Sequence, residues 1–319
     1  VSIDRVSIDR VRSGQTGAVT RAVSRAATVR DRIVEEVAAQ GFGAHGLHVL
    51  VDDDEVGHRW SADVREDVHS VAKAVCVLAV GFAADEGLID IDTTLGSAFP
   101  DAPFGAGTAD VTVHRLLTMT SGVDLPWSPT LLADWPDLAL EFVSRPSRGR
   151  VFQYANASTY TAMRVLETRV GDVGAYLEGK LFEPLGIRDV RWDRCPLGFI
   201  AAGEGLTLRT EELARIGRLI RDRGRWHGDR LLSPEWIDGM HSDWVTAGTN
   251  PGYDRYALAG WAGPGDAWRL HGAYGQLLIF ADDAVVTLTA HDHEGADRIA
   301  ASVVSILTGS APGVSADRE

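Results

Sequence analysis

Ser70 and Lys73 stand three residues apart in HSVAKAV, which enters an uncharged apolar run, AVCVLAVGFAA, from Ala74 to Ala84. A lysine at the head of such a run loses hydration, which disfavours its charged form and leaves an amine able to act as a base near neutral pH. On a helix beginning at Ser70, positions i and i+3 share a face, so the amine reaches the hydroxyl. A serine is a poor nucleophile until a neighbour takes its proton. The chemistry open to this pair is therefore attack on a carbonyl carbon. The Ser70 backbone N–H, in an unpaired first helical turn, would hold the oxyanion that forms. The alternative is structural: an N-cap serine and a lysine snorkelling out of a core helix.

Two further stretches carry groups of a matching kind. Tyr154-Ala-Asn156 lies in FQYANASTYTAMRVLE, just before a helical pattern. A phenol beside a cationic lysine would lose its proton more readily and could pass it to a leaving group. Lys73 and Tyr154 would then titrate as a pair, with neither singled out as the base. Asn156 could donate to a substrate carbonyl; the alternative is that it caps the next helix while Tyr154 packs a loop. In Leu270-His271-Gly272-Ala273-Tyr274-Gly275-Gln276, a glycine within a strand admits close approach of a ligand or of backbone. The Ala273 N–H would be a second oxyanion donor, and a bulged strand start is the alternative.

In this order, Ser70-x-x-Lys73, Tyr154-x-Asn156 and Leu270-His271-Gly272 resemble the motifs of the penicillin-recognising serine hydrolases. The likeness is to the class C β-lactamase-like group, which includes class C β-lactamases, D-alanyl-D-alanine carboxypeptidases, esterases and 6-aminohexanoate-dimer hydrolases. VHRLLTMTSGVDLPW, KLFEPLGIRDVRW, AAGEGLTLRTEELARIG, GRWHGDRLLSPEWI and HGAYGQ also look like family segments, so the resemblance runs from about Gly46 to Ala290. It implies an acyl-enzyme on Ser70, with Lys73 and Tyr154 moving protons. It further implies an oxyanion hole from the N–H groups of Ser70 and Ala273, substrate contacts from Asn156, His271 and Gly272, and no metal or cofactor.

One position departs from the family pattern. The KTG lysine, which helps anchor the carboxylate of β-lactams and D-alanyl peptides, is Leu270 here, with Arg269 and His271 beside it on the opposite strand face. His271 is then either a substitute hydrogen-bond donor or a packing residue. HGAYGQ is the version associated with esterases and amide hydrolases of the group. The resemblance thus implies hydrolysis of a small-molecule ester or amide. A β-lactamase or D-alanyl-D-alanine carboxypeptidase ranks second, and an acyltransferase or an acylated sensor without turnover are the remaining alternatives.

These residues need elements to position them. From Val19 to Ala38, apolar residues recur at helical spacing and end at Gly41. GLHVLVDDDEVGHRWSA follows as two strands around an acidic turn at Asp52 to Asp54. The run after Ser70 is apolar on every side and predicts a centrally buried helix. Between about Asp90 and Trp192, Pro and Gly clusters separate helical pieces such as VHRLLTM, SPTLLADWPDLALEFV and TAMRVLETRV. Thr210 is expected to cap the helix in GLTLRTEELARIGRLIRDRG, which stops at Gly224. YALAGWAG, WRLHGAYGQLLIFA and AVVTLTAH have strand character, and GADRIAASVVSILTG closes as an amphipathic helix. The expected fold is α+β, β-lactamase/transpeptidase-like: a central antiparallel sheet flanked by helices, from residues 1–90 and 200–319, with a mostly helical insert at 91–199.

Composition narrows the partners. The 319 residues carry 45 Asp+Glu against 31 Lys+Arg, a net charge of −14 that disfavours nucleic acid and anionic membrane surfaces. The longest apolar run, about a dozen residues, falls short of the roughly 20 that cross a bilayer. VSIDRVSIDRVRSGQTG lacks the apolar stretch of a secretory signal, so a cytoplasmic location is expected. Cys76 and Cys195 give no disulfide framework. His291-Asp-His293-Glu294 reads as a solvated turn rather than a metal site, since no fourth ligand is evident. Trp127, Trp135, Trp236, Trp244 and Trp261 are expected in the core or at a rim.

Overall fold

Residues 24–125, 137–248 and 253–309 are described in a computed structural model of the chain. Trp127, Trp135 and the SPTLLADW half of one expected helix lie outside them. Helix α1 (Arg25–Gln40) begins where the Ser24 hydroxyl accepts from the Ala27 N–H and ends at Gly41, whose left-handed backbone (φ 63°) suits glycine. The acidic turn then joins β1 (Ala44–Val51) to β2 (Asp54–Arg59) in an antiparallel pair.

The rest of the main sheet comes from the other end of the chain. Its strands are β3 (Val245–Thr246), β4 (Arg255–Tyr256), β5 (Trp261–Ala262), β6 (Trp268–Gly272), β7 (Gln276–Ala281) and β8 (Ala284–Ala290). The order is β2-β1-β8-β7-β6-β5-β4-β3, every pairing antiparallel. Leu47 sits opposite Leu288 and Val49 opposite Val286, so the two chain ends meet inside the sheet. WRLHGAYGQLLIFA is not one strand. A 3-10 turn at Ala273–Gly275, with Tyr274 left-handed (φ 61°, ψ 19°), divides it.

Strand alternation sorts residues onto two faces. Leu277 and Ile279 join Ile33 and Val37 of α1 and Ile299 and Val303 of the last helix, α5 (Ala296–Thr308). Leu278 and Phe280 face a larger core with Val75 and Leu78 of α2 (Ala72–Asp85). Every residue of α2 from Ala72 to Ala83 is buried, as its apolar circumference requires. The same core continues into the segment between the two groups of strands, through Leu116, Phe142 and Leu166. Leu166 belongs to α3 (Asn156–Val170).

A small three-stranded sheet, Glu66–Asp67, Leu206–Leu208 and Arg191–Trp192, ties the chain before Ser70 to the chain after Gly203. Helix α4 (Thr210–Arg221) follows. Thr210 is not its cap. Arg209 is, with the Glu212 carboxylate accepting from the Arg209 N–H. The Thr210 hydroxyl is buried instead at 2.7 Å from that of Thr289. Among the described residues, no helix is long and apolar enough to cross a membrane.

Candidate active site

Ser70 lies in a 3-10 turn, His69–Val71, that runs into α2 at Ala72, so the regular helix starts two residues later than expected. Val71 stands at the helix N-cap without a side-chain bond, and Ser70 is not a cap. The turn is clamped from two directions. His69 is left-handed (φ 48°), and its N–H donates to Asp67 Oδ1 at 2.7 Å; the same oxygen accepts from the Gly205 N–H at 3.0 Å. On the other side β6 presses close: a Cβ at Gly272 would stand 2.4 Å from the Val68 carbonyl oxygen. The close approach expected of Gly272 is therefore one of backbone to backbone.

Lys73 is 2% exposed and does not snorkel. Its Nζ donates to Ser70 Oγ at 2.9 Å, Asn156 Oδ1 at 2.6 Å and the Gly203 carbonyl at 2.9 Å. Three acceptors match the three donors of an ammonium, yet burial pushes the pKa down to about 7, against the pull of Glu204, Cys76 and Asp67. Asn156 opens α3 without capping it, and its side chain turns inward between Lys73 and the Glu204 carboxylate. Gly203 carries no side chain because a Cβ there would fall 2.6 Å from Asn156 Cγ.

Tyr154 meets this pair, its hydroxyl hydrogen-bonded to Ser70 and its ring centroid 4.9 Å from Lys73 Nζ. The lysine does not acidify it as expected. Burial pushes the phenol up to about 12, and the bond to Ser70 pulls back only part of that rise. Aromatic neighbours hold the ring: Trp261 at 5.5 Å and Tyr256 at 5.9 Å between centroids, with Phe152 against both. Among the described residues, Trp261 of the expected core-or-rim group thus touches the site.

β6 divides its residues between faces. Leu270 is buried opposite Leu278, on the side of α2. Arg269 and His271 take the other side. Arg269 is fully buried, ion-paired with Asp297 and 4.0 Å from the Tyr253 ring centroid. His271 lies opposite Leu277, on the α1 and α5 side, and is not brought to Ser70. Burial, with Arg269 and His293 nearby, pushes its pKa down to about 3, and its Nδ1 has no hydrogen-bond partner among the described residues. Of its two expected roles, the placement is that of a packing residue. Its expected donation to substrate draws no support from this placement.

Ala273 opens the turn after β6. Next to it, the Tyr274 ring is 41% exposed, stacked on His291 (4.8 Å, 2°) and 5.1 Å from the His69 ring. His291 and His293 are exposed on an irregular segment, as a solvated turn would have them, and both lie against the Tyr274 ring. Glu204, Asp67 and Tyr274 escape sequence reasoning. Their only local signals are the glycines on either side of Glu204 and the Gly275 that follows Tyr274.

The Beta-lactamase family profile matches residues 27–318. A 6-aminohexanoate-dimer hydrolase of Paenarthrobacter ureafaciens is 27% identical over 233 residues, covering 65% of this chain and 58% of that protein, so the chain spans less than two thirds of this relative's length. Among solved structures, a penicillin-binding protein homolog from Caulobacter crescentus aligns at TM-score 0.72 with 16% identity, over 90% of this chain and 98% of its own. A family VIII carboxylesterase aligns at 0.72 with 16% identity, over 89% and 97%. A class C β-lactamase mutant aligns at 0.73 with 12% identity, over 91% and 99%. At such identities the likeness is one of fold, and that fold is the β-lactamase/transpeptidase-like α+β arrangement. The family match takes in the sheet and the helices on both its faces, from α1 to α5, and the chain belongs to the Beta-lactamase family.

Proposed function

We propose that the protein is a serine hydrolase that opens an ester or amide bond of a small molecule through an acyl-enzyme on Ser70. The observation that carries this is the Lys73 amine, buried 2.9 Å from Ser70 Oγ with its pKa brought near neutrality. Near pH 7 a substantial fraction of that amine is neutral and can accept a proton. Tyr154, held up to about 12, stays protonated. The two groups are therefore divided by environment into a base and a proton carrier.

As Ser70 Oγ attacks the carbonyl carbon, its proton moves to Lys73, and the N–H groups of Ser70 and Ala273 hold the oxyanion. Collapse breaks the bond to the leaving group, which takes the Tyr154 proton, and the Lys73 ammonium beside the ring returns a proton to the phenolate. Water then attacks the acyl carbon and frees Ser70. Asn156 Oδ1, accepting at 2.6 Å, helps fix the amine.

The substrate class follows from β6. Leu270, at the position where the resemblance expects the carboxylate-anchoring lysine, is a buried apolar residue on the side of α2, and Arg269 is turned to the other face, onto Asp297. This supports esters and amides ahead of β-lactams and D-alanyl peptides, and the names of the aminohexanoate-dimer hydrolase and the carboxylesterase fit that class. The test is turnover of short p-nitrophenyl esters, linear amides, a chromogenic cephalosporin and D-alanyl dipeptides, with fluorophosphonate labelling, in wild type and Ser70→Ala. Labelling and turnover should both vanish in the variant. Retained activity there would overturn the assignment of Ser70, and cephalosporin turnover rivalling the esters would overturn the substrate ranking.

A further inference from the structure

Glu204 stands between two glycines whose backbones are both fixed. The Gly203 carbonyl accepts from Lys73, and the Gly205 N–H donates to Asp67. The Glu204 carbonyl accepts from Trp192 Nε1 at 2.9 Å. With its backbone held on three sides, Glu204 turns its carboxylate to the Asn156 side chain, whose oxygen accepts from Lys73. The Asn156 amide thus stands between the Glu204 carboxylate and the Lys73 amine, which donates to Asn156 Oδ1 at 2.6 Å and to Ser70 Oγ at 2.9 Å.

We propose that Glu204 is a positioning residue for the catalytic amine: acting across the Asn156 amide, its negative charge stabilises the ammonium that Lys73 becomes on taking the Ser70 proton. This rests on the reading that Lys73 activates Ser70. In the step, the proton leaves Ser70 Oγ for Lys73 Nζ, the Oγ–C bond forms, and the carbonyl electron pair moves to oxygen. Glu204 neither gains nor loses a proton. Charge is then created on a group cut off from water, where a fixed counter-charge is worth most.

The surrounding groups leave this task to Glu204. Among those opposing the desolvation of Lys73, Glu204 acts most strongly. Cys76, on the lysine's own helix, is held in its thiol form by burial, and Tyr154 is a neutral phenol. Asp67 already accepts from the His69 and Gly205 N–H groups. Glu204 itself is pushed up by burial, pulled back by Lys73 and the Asn156 bond, and raised again by Asp67 and Asp193.

The test is the pH profile of kcat/KM for a p-nitrophenyl ester in wild type, Glu204→Gln, Glu204→Ala and Glu204→Asp. Gln keeps an acceptor for Asn156 and loses only the charge. Its acid limb should move to lower pH by about one unit, as expected for a unit charge removed from a nearby site. Its plateau should fall about threefold, because a weaker base accepts the proton. Glu204→Ala should show the same shift, and Glu204→Asp should keep the wild-type limb. A limb at the wild-type position in whichever of the Gln and Ala variants folds overturns the proposal, since a purely structural role lowers the plateau alone. Ser70→Ala separates the two failures: activity there sinks the serine reading itself, while an inactive Ser70→Ala with an unmoved Glu204→Gln limb sinks this inference only.

Discussion

Gly272→Ala adds one methyl group at the seam between β6 and the turn that carries Ser70. The backbone there is ordinary (φ −113°, ψ 153°), so alanine fits the conformation without strain. Its stiffer unfolded chain even favours the variant by about 0.4–1 kcal/mol. Against this, the new Cβ would stand 2.4 Å from the Val68 carbonyl oxygen, 3.0 Å from Gln276 Cβ and 3.3 Å from Val71 Cγ2. The first contact is with backbone and no rotamer relieves it. Restoring an ordinary C···O separation of about 3.3 Å parts the strand and the turn by about 0.9 Å. Ala273 is the next residue on one side, and Ser70 follows Val68 by two on the other, so the two proposed oxyanion donors separate together. A displacement of about 1 Å at a reacting centre costs on the order of a hundredfold in rate. Overpacking costs about 1–3 kcal/mol of stability, part of it offset by the unfolded-chain effect. The measurement is kcat/KM on a p-nitrophenyl ester beside a thermal melt. A folded Gly272→Ala within threefold of wild-type kcat/KM would refute the claim that this spacing sets the oxyanion site.

Two further outcomes follow from the buried amine and phenol. Lys73 has a folded pKa of about 7 against an ordinary 10.5. Between these values the unfolded chain keeps a proton that the folded one has released, so stability rises with pH across the window. Lys73→Met removes that slope, and in denaturant titrations from pH 7 to 9.5 wild type should gain on it by on the order of 1 kcal/mol per pH unit. Parallel curves would show that the pKa is not depressed. Tyr154→Phe keeps the ring against Trp261 and Tyr256 and loses the hydroxyl, so kcat/KM should fall about 10²–10⁴-fold with little change in melting temperature. Near-normal turnover in that variant would take the phenol out of the mechanism.

What can be read locally from the sequence is what local physics controls. The Gly41 stop, the hairpin about Asp52 to Asp54 and the all-round apolar helix after Ser70 depend on neighbours a few residues away. The Ser70–Lys73 contact belongs with them, because one helical turn sets the spacing and the apolar run supplies the desolvation. The helix start at Ala72 is different. It depends on the left-handed His69, held by Asp67, whose strand pairs with residues far along the chain. The break at Ala273–Gly275 interrupts a strand-like pattern for the same kind of reason, since Tyr274 stacks on His291 beyond β8. Alternation along β6 puts His271 and Leu270 on opposite faces, but only the packing of α2 decides which face holds the nucleophile. The Tyr154 pKa goes against expectation because charge neighbours are visible in a motif and burial is not. Glu204 is seen only once Gly203 and Gly205 have been docked by residues more than a hundred positions earlier.

One apolar interior runs unbroken from Leu278 and Phe280 through Val75 and Leu78 to Leu116, Phe142 and Leu166. Swinging the helical half of the molecule away from the sheet would wet that whole surface, at about 25 cal/mol for each Å² exposed. On the proposed function, access to Ser70 is then a matter of the perimeter, where the half-exposed Tyr274 stands 5.1 Å from the ring of His69. A change of diet in this scaffold can proceed by altering its threshold while its foundations stay untouched.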